Sequence, residues 1–125
     1  MMVRIDKNGE TDGPRRGEIW LTRFGAAGDG EPGKTRPAVV LLVDEFAPYG
    51  ETSLIPVVPL SASLSVRPDR IEVPVSAGLE RPTVAVTRGI RGMSRSRLLR
   101  RIGILDNATM EKITFATGRI LGVTL

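Results

Sequence analysis

The 125-residue sequence contains neither cysteine nor histidine. Without cysteine there is no disulfide, no thiolate metal ligand and no thiol nucleophile; without histidine the usual proton shuttle near neutral pH and the commonest metal-binding nitrogen are also missing. Any catalysis must do without both. No apolar run approaches the roughly 18 residues that cross a bilayer, and Met1 to Pro14 lacks the apolar centre of a signal peptide, so a cytoplasmic protein with no membrane partner is expected. Asp44-Glu45 is an adjacent acidic pair with no third ligand at metal spacing; it reads as solvated loop, and neither a metal site nor a cofactor is expected. Trp20 is the only tryptophan, and its place in a strand pattern assigns it to the core ahead of base stacking.

The hydrophobic content of 41% is enough for one compact domain with one core. Charge is unevenly spread. Residues 81–125 hold nine Lys and Arg against two Asp and Glu, whereas residues 1–80 hold nine against twelve. A basic second half on a mildly acidic first half favours a polyanionic partner, nucleic acid before membrane, because nothing here forms a basic amphipathic anchor.

Residues 1–14 mix charge with Gly9, Gly13 and Pro14 and read as a mobile tail, leaving 15–125 as the domain. Gly17 to Phe24 alternates as a strand with both faces partly covered. Gly25 to Thr35 is a glycine-rich loop that leads into a strand rather than a helix, so it does not fit the phosphate-cradling patterns. Arg36 to Val43 is unbroken apolar strand after its first residues and is expected to bury both faces. Ser53 to Leu60 is a third strand whose Pro56 and Pro59 suggest an edge or bulged strand. Arg70 to Val75, Thr83 to Val86 and Ile102 to Leu105 follow. Asp106 then caps a helix in which Met110, Ile113, Thr117, Ile120 and Leu121 recur at helical spacing, with Gly122 as its C-terminal cap. The pattern is mainly β with a C-terminal α-helix: a small, partly open, curved β-barrel with the helix packed on it. Arg36 stands where a flexible loop becomes a rigid strand, fixed by Pro37, and its guanidinium offers five donors matched to phosphate oxygens.

The motifs Arg16-Gly17-Glu18-Ile19-Trp20, Glu31-Pro32-Gly33-Lys34-Thr35-Arg36-Pro37-Ala38-Val39-Val40 and Val57-Val58-Pro59-Leu60-Ser61 come in that order. They are followed by Gly78-Leu79-Glu80-Arg81-Pro82-Thr83-Val84-Ala85, Ile90-Arg91, Ser96-Arg97-Leu98 and Ile102-Gly103-Ile104-Leu105. In this order the chain resembles the MazF/PemK toxin endoribonucleases of type II toxin–antitoxin systems over nearly all of Arg15 to Gly122. The resemblance implies an SH3-like (CcdB/PemK-like) barrel that forms a homodimer. It further implies sequence-specific, metal-independent cleavage of single-stranded RNA such as mRNA, leaving 2′,3′-cyclic phosphate and 5′-hydroxyl ends, and a MazE-like antitoxin whose flexible tail blocks the RNA groove. It carries the catalytic roles to Arg36 and Ser61, a serine where the family usually has threonine, and RNA contacts to Glu31, Lys34, Thr35 and Arg91. Such a reaction needs little from the protein, because RNA supplies its own 2′-hydroxyl nucleophile. Glu31 is a candidate acceptor for that proton. The chain departs from the family at Arg88-Gly89, where an acidic residue and glutamine are usual, and at Pro32, where glutamine is usual. Arg95, Arg97, Arg100 and Arg101 either follow an RNA backbone or keep the surface soluble. Rival readings are a CcdB-like gyrase-inhibiting toxin acting through the end of the terminal helix, and a catalytically inactive barrel that binds RNA or an antitoxin.

Overall fold

The computed structural model describes residues 13–25, 34–46, 50, 52–65 and 67–123. Among these, seven strands form one curved antiparallel sheet: β1 (Glu18–Arg23), β2 (Thr35–Val40), β3 (Leu54–Ser61), β4 (Arg70–Val73), β5 (Thr83–Val86), β6 (Arg91–Ser94) and β7 (Leu98–Ile104), followed by helix α1 (Asn107–Ile120). The strand order is β4-β5-β3-β2-β1-β7, with β6 pairing β3 off this path. The sheet is open rather than closed, and β4 and β7 are its ends.

Strands β2 and β3 bury both faces, as their unbroken apolar runs require. On the face under α1, Val39, Val58, Leu60, Ala85, Met110 and Ile113 form one cluster. On the other face Ala38, Val40, Ile55, Val57, Met93 and Leu98 form a second, against which Trp20 and Phe24 pack. The tryptophan is therefore a packing residue.

Strand β3 is central rather than an edge, contrary to what its prolines suggest. It pairs β2 through Val57–Pro59 on one side; on the other it pairs β6 through Leu54–Val57 and then β5 through Leu60 and Ser61. Successive residues of a strand point their backbone groups to alternate neighbours. The Pro56 carbonyl accepts from Leu41 N at 3.0 Å, on the β2 side just past the end of β2. The Pro59 nitrogen then faces the opposite side, in the gap where the ladder passes from β6 to β5. Both missing donors thus fall where no ladder bond is lost.

Other boundaries differ from the sequence expectation. Strand β2 ends at Val40, β6 is an additional strand, and β7 begins at Leu98, four residues before Ile102. Asp44 lies in a 3-10 turn, partly buried, where it takes the Arg16 N–H at 3.3 Å and pairs with Arg15 at 3.7 Å. It is a structural anion rather than solvated loop. Residues 1–12 of the expected tail lie outside the described residues, and Pro14, placed in that tail, has a fully buried side chain.

Helix α1 starts at Asp106, whose carboxylate accepts from Thr109 N at 2.6 Å. It stops at Gly122, in the left-handed region at φ 81, with Gly122 N bonded to Arg119 O and Val123 N to Gly118 O at 3.1 and 2.8 Å. That pair of bonds is a Schellman cap. Met110, Ile113, Ala116 and Thr117 face the sheet, whereas Ile120 and Leu121 are exposed. No helix among the described residues is long and apolar enough to cross a membrane.

Candidate functional site

A groove of about 780 Å³ opens across the start of β2, the end of β3 and the middle of β7. Its floor is apolar: Leu60 and Leu79 are buried, and Leu21 sits opposite Pro37 on β2 and Arg100 on β7. Its walls are charged. Arg36 enters from β2, Arg100 and Arg101 from β7, and Glu80 and Arg81 from the turn before β5. Four guanidiniums against one carboxylate on those walls make an anion-attracting concavity.

Each wall has a physical reason to be there. Arg36 is the second residue of β2, paired with Thr22 and followed by Pro37, so its backbone is held by the sheet. Ser61 ends β3, and its Oγ accepts the Ser63 backbone N–H at 3.1 Å. That bond occupies a lone pair and leaves the Ser61 O–H proton free to be donated. The turn carrying Glu80 and Arg81 is seated directly on β7. Gly78 adopts φ 108, and a Cβ there would lie 2.3 Å from the Ile102 carbonyl oxygen. Below the walls, Thr83 is buried with an Oγ1 that has no hydrogen-bond partner among the described residues. It lines the groove as an unused polar atom.

On β7 the pairing with β1 slips twice. Trp20 faces Arg101 and Leu21 faces Arg100, but Ile19 faces Gly103 and Thr22 faces Leu98, which leaves Ile102 and Leu99 as extra residues. In a regular strand two consecutive side chains point to opposite faces. Arg100 and Arg101 lie between the two slips, where the pairing with Leu21 and Trp20 runs in step, and both line the groove.

The residues expected from the sequence are distributed as follows. Arg36 and Ser61 are brought together in the groove. Lys34 and Thr35 are exposed at the start of β2 and do not line it. Arg91 lies on β6, where its Nη2 donates to the Phe24 carbonyl at 3.0 Å and its guanidinium stacks on the Phe24 ring at 5.1 Å. Arg97 likewise donates to the Arg23 carbonyl at 3.2 Å, and Arg95 stacks on Trp20 at 5.1 Å. These three cations are engaged with the end of β1 and its tryptophan rather than directed into the groove. Glu31 and Pro32 lie outside the described residues. Arg88 pairs with Asp69 at 2.9 Å while 74% exposed, and Gly89 packs against Pro59, so neither lines the groove. Among the described residues no group of three or more carboxylates is placed to hold a metal ion.

Sequence reasoning missed Glu80, Arg81 and Thr83, which line the groove, and Glu18, which accepts a hydrogen bond from the groove residue Arg101 at 2.9 Å. All four stand inside motifs that resemble the family. Glu18 had a further signal: a carboxylate directly before the apolar run Ile19-Trp20-Leu21, two residues from the lone tryptophan.

A family model described as PemK-like, MazF-like toxin of type II toxin-antitoxin system matches residues 15–121. The solved structure of the Mycobacterium tuberculosis toxin MazF-mt6 is 19% identical with a TM-score of 0.72, covering 86% of this chain and 99% of that one. A MazE-MazF structure from Deinococcus radiodurans is 24% identical with a TM-score of 0.72, covering 89% and 98%. An endoribonuclease in complex with its cognate antitoxin from a Mycobacterial species is 18% identical with a TM-score of 0.73, covering 90% and 99%. At these identities the likeness is one of fold.

Proposed function

The chain belongs to the PemK-like, MazF-like toxins of type II toxin–antitoxin systems, and from that premise we propose that it is an endoribonuclease that cuts single-stranded RNA, mRNA above all, at a short preferred sequence. The observation that carries the reading is the shared groove of Arg36 and Ser61, lined by three further arginines. Four guanidiniums against the Glu80 carboxylate leave the groove walls net positive, which suits a polyanion.

The reaction is in-line displacement. The RNA 2′-oxygen forms a bond to the adjacent phosphorus, the bond from phosphorus to the 5′-oxygen breaks, and the products are a 2′,3′-cyclic phosphate and a 5′-hydroxyl. Arg36 places its planar fork on the non-bridging oxygens, where negative charge grows, and Ser61 donates its O–H to the same phosphate. The 2′-hydroxyl proton passes to the Glu80 carboxylate, and the departing 5′-oxygen takes a proton from water. Arg36 acts as a hydrogen-bond donor and positive charge, not as a base. With no histidine or cysteine in the chain, the residues present suit a metal-independent route.

A homodimer and a cognate antitoxin complete the reading. Phe46, Leu54, Ile104 and Leu121 are exposed large apolar side chains, surface that association would cover. The family departure at Arg88-Gly89 removes nothing from the groove walls, which favours an active enzyme over an inert barrel.

The test is incubation of the purified protein with a long unstructured RNA in excess chelator, with sequencing of the new ends. Cuts at one short sequence with cyclic-phosphate termini are expected. Intact RNA in chelator that is cut on adding magnesium overturns the metal-independent mechanism, and a micromolar monomer by light scattering overturns the dimer.

A further inference from the structure

Glu18 is a buried carboxylate on β1, its side chain only 5% exposed, and each of its oxygens is engaged. Oε1 accepts the Arg15 backbone N–H at 2.7 Å and the Trp20 indole N–H at 3.1 Å, and Oε2 accepts Arg101 Nη1 at 2.9 Å. The first two donors belong to backbone and to a packed ring, so the carboxylate is a fixed point. Arg101 is the one partner that reaches out of the protein: its side chain is 53% exposed and lines the groove. A guanidinium has five N–H donors, and Nη1 is the one given to Glu18, which leaves the rest of the fork for a ligand.

We propose that Glu18 is a positioning residue which holds Arg101, on the bulged stretch of β7, as a rigid second phosphate subsite beside the Arg36 centre. This deepens the endoribonuclease reading and rests on it. Three observations converge. An exposed arginine loses rotamer freedom when it binds a phosphate, and prior fixing by a buried carboxylate removes part of that cost. Arg101 and Arg100, held in step with β1 between the two slips of β7, both line the groove. Among the described residues, the carboxylate that pairs with Arg101 is at its buried side, so the groove side keeps its positive field. Single-stranded RNA presents a phosphate at every linkage, so a fixed guanidinium off the scissile position sets which linkage is delivered to Arg36.

The experiment uses the full chain and a short 2′-O-methyl RNA of the cleaved sequence, or of an unstructured sequence if no cleavage is found, with one methylphosphonate placed at each linkage in turn. One linkage away from the scissile position is expected to weaken binding by about tenfold for the parental protein, a size typical of one charge-assisted bond, and to have no effect on Arg101→Ala. Arg101→Lys keeps a cation for Glu18 but cannot serve both partners, and it should lose the same linkage signal while melting like the parent. Glu18→Gln should reduce the penalty at that linkage alone, without changing the penalties elsewhere.

If every linkage penalty is shared by the parent and Arg101→Ala, the subsite is wrong although cleavage stands. If Glu18→Gln keeps the full linkage penalty, Glu18 is structural and the positioning role is wrong. If the parent binds RNA without cutting it, the nuclease reading fails while the linkage scan still decides Arg101. Absence of any RNA binding overturns both.

Discussion

Gly103 lies so close to Ala77 that a Cβ placed on it would fall 1.7 Å from the Ala77 carbonyl oxygen. The contact is backbone against backbone, so no side chain can rotate away to make room. It seats the turn that carries Glu80 and Arg81 on β7, and thereby closes one wall of the groove. Gly103→Ala is expected to lower stability by about 2–3 kcal/mol, the upper range for overpacking, and to reduce RNA cleavage together with it. Gly25→Ala, at a position with nothing within 4 Å among the described residues, should leave the denaturant midpoint unchanged. Equal midpoints for the two variants would show that the turn yields easily.

A smaller version of the same contact explains why this chain has Gly89. A Cβ there would lie 2.8 Å from Pro59 Cγ. Restoring the family's glutamine through Gly89→Gln should therefore cost about 1–2 kcal/mol and leave activity no higher. Trimming the neighbour in Gly89→Gln with Pro59→Ala should recover part of the loss. Urea unfolding of the two variants decides it; a stable and more active single variant would mean that the glutamine position belongs to the reaction.

Period and composition made much of the fold legible. The two-sided burial of β2, the terminal helix, its Asp106 cap and its Gly122 stop are all local patterns in which a residue's own chemistry fixes its conformation. The prolines of β3 misled because their cost depends on which neighbour each missing donor faces, and that is set by where β2 ends and where β6 gives way to β5. Strand β6 escaped notice because Arg91-Gly92-Met93-Ser94 has no strong pattern of its own and is held by pairing with β3. In the site, Arg36 and Ser61 could be named from their motifs. Arg101 could not be separated from the other arginines, since only its bond to the buried Glu18 singles it out.

Asp106 gives a pH signature. Its pKa is lowered from 3.8, first by the hydrogen bond from the Thr109 backbone. A carboxylate whose folded pKa is depressed stabilises the native state at pH above its unfolded value, and that contribution is lost as pH falls through 3.8 toward the lower folded value. Asp106→Asn keeps a capping oxygen but cannot titrate. Thermal melting should show the parental protein losing more stability than Asp106→Asn between pH 5 and about pH 3. Parallel losses would mean that the cap carries no charge-dependent stability.

Arg36 and the Arg100 to Arg101 pair both put positive charge in the groove, so charge alone cannot separate their roles. What separates them is whether an interaction strengthens in the transition state. Under the proposed chemistry Arg36→Ala should slow single-turnover cleavage about a hundredfold or more, as removal of one preorganised donor does, with only a modest fall in RNA affinity. Arg36→Lys should fail as well, because an ammonium cannot supply the planar fork. Arg100→Ala with Arg101→Ala should instead weaken binding for all sequences and flatten its dependence on salt, by about one unit of slope for each phosphate no longer neutralised, while bound RNA is still cut. The decisive comparison is the cleavage rate at saturating protein for the three variants. If Arg36→Ala cuts bound RNA at the parental rate, Arg36 is a strand-start residue held by Pro37 and nothing more, and the catalytic centre lies elsewhere in the groove.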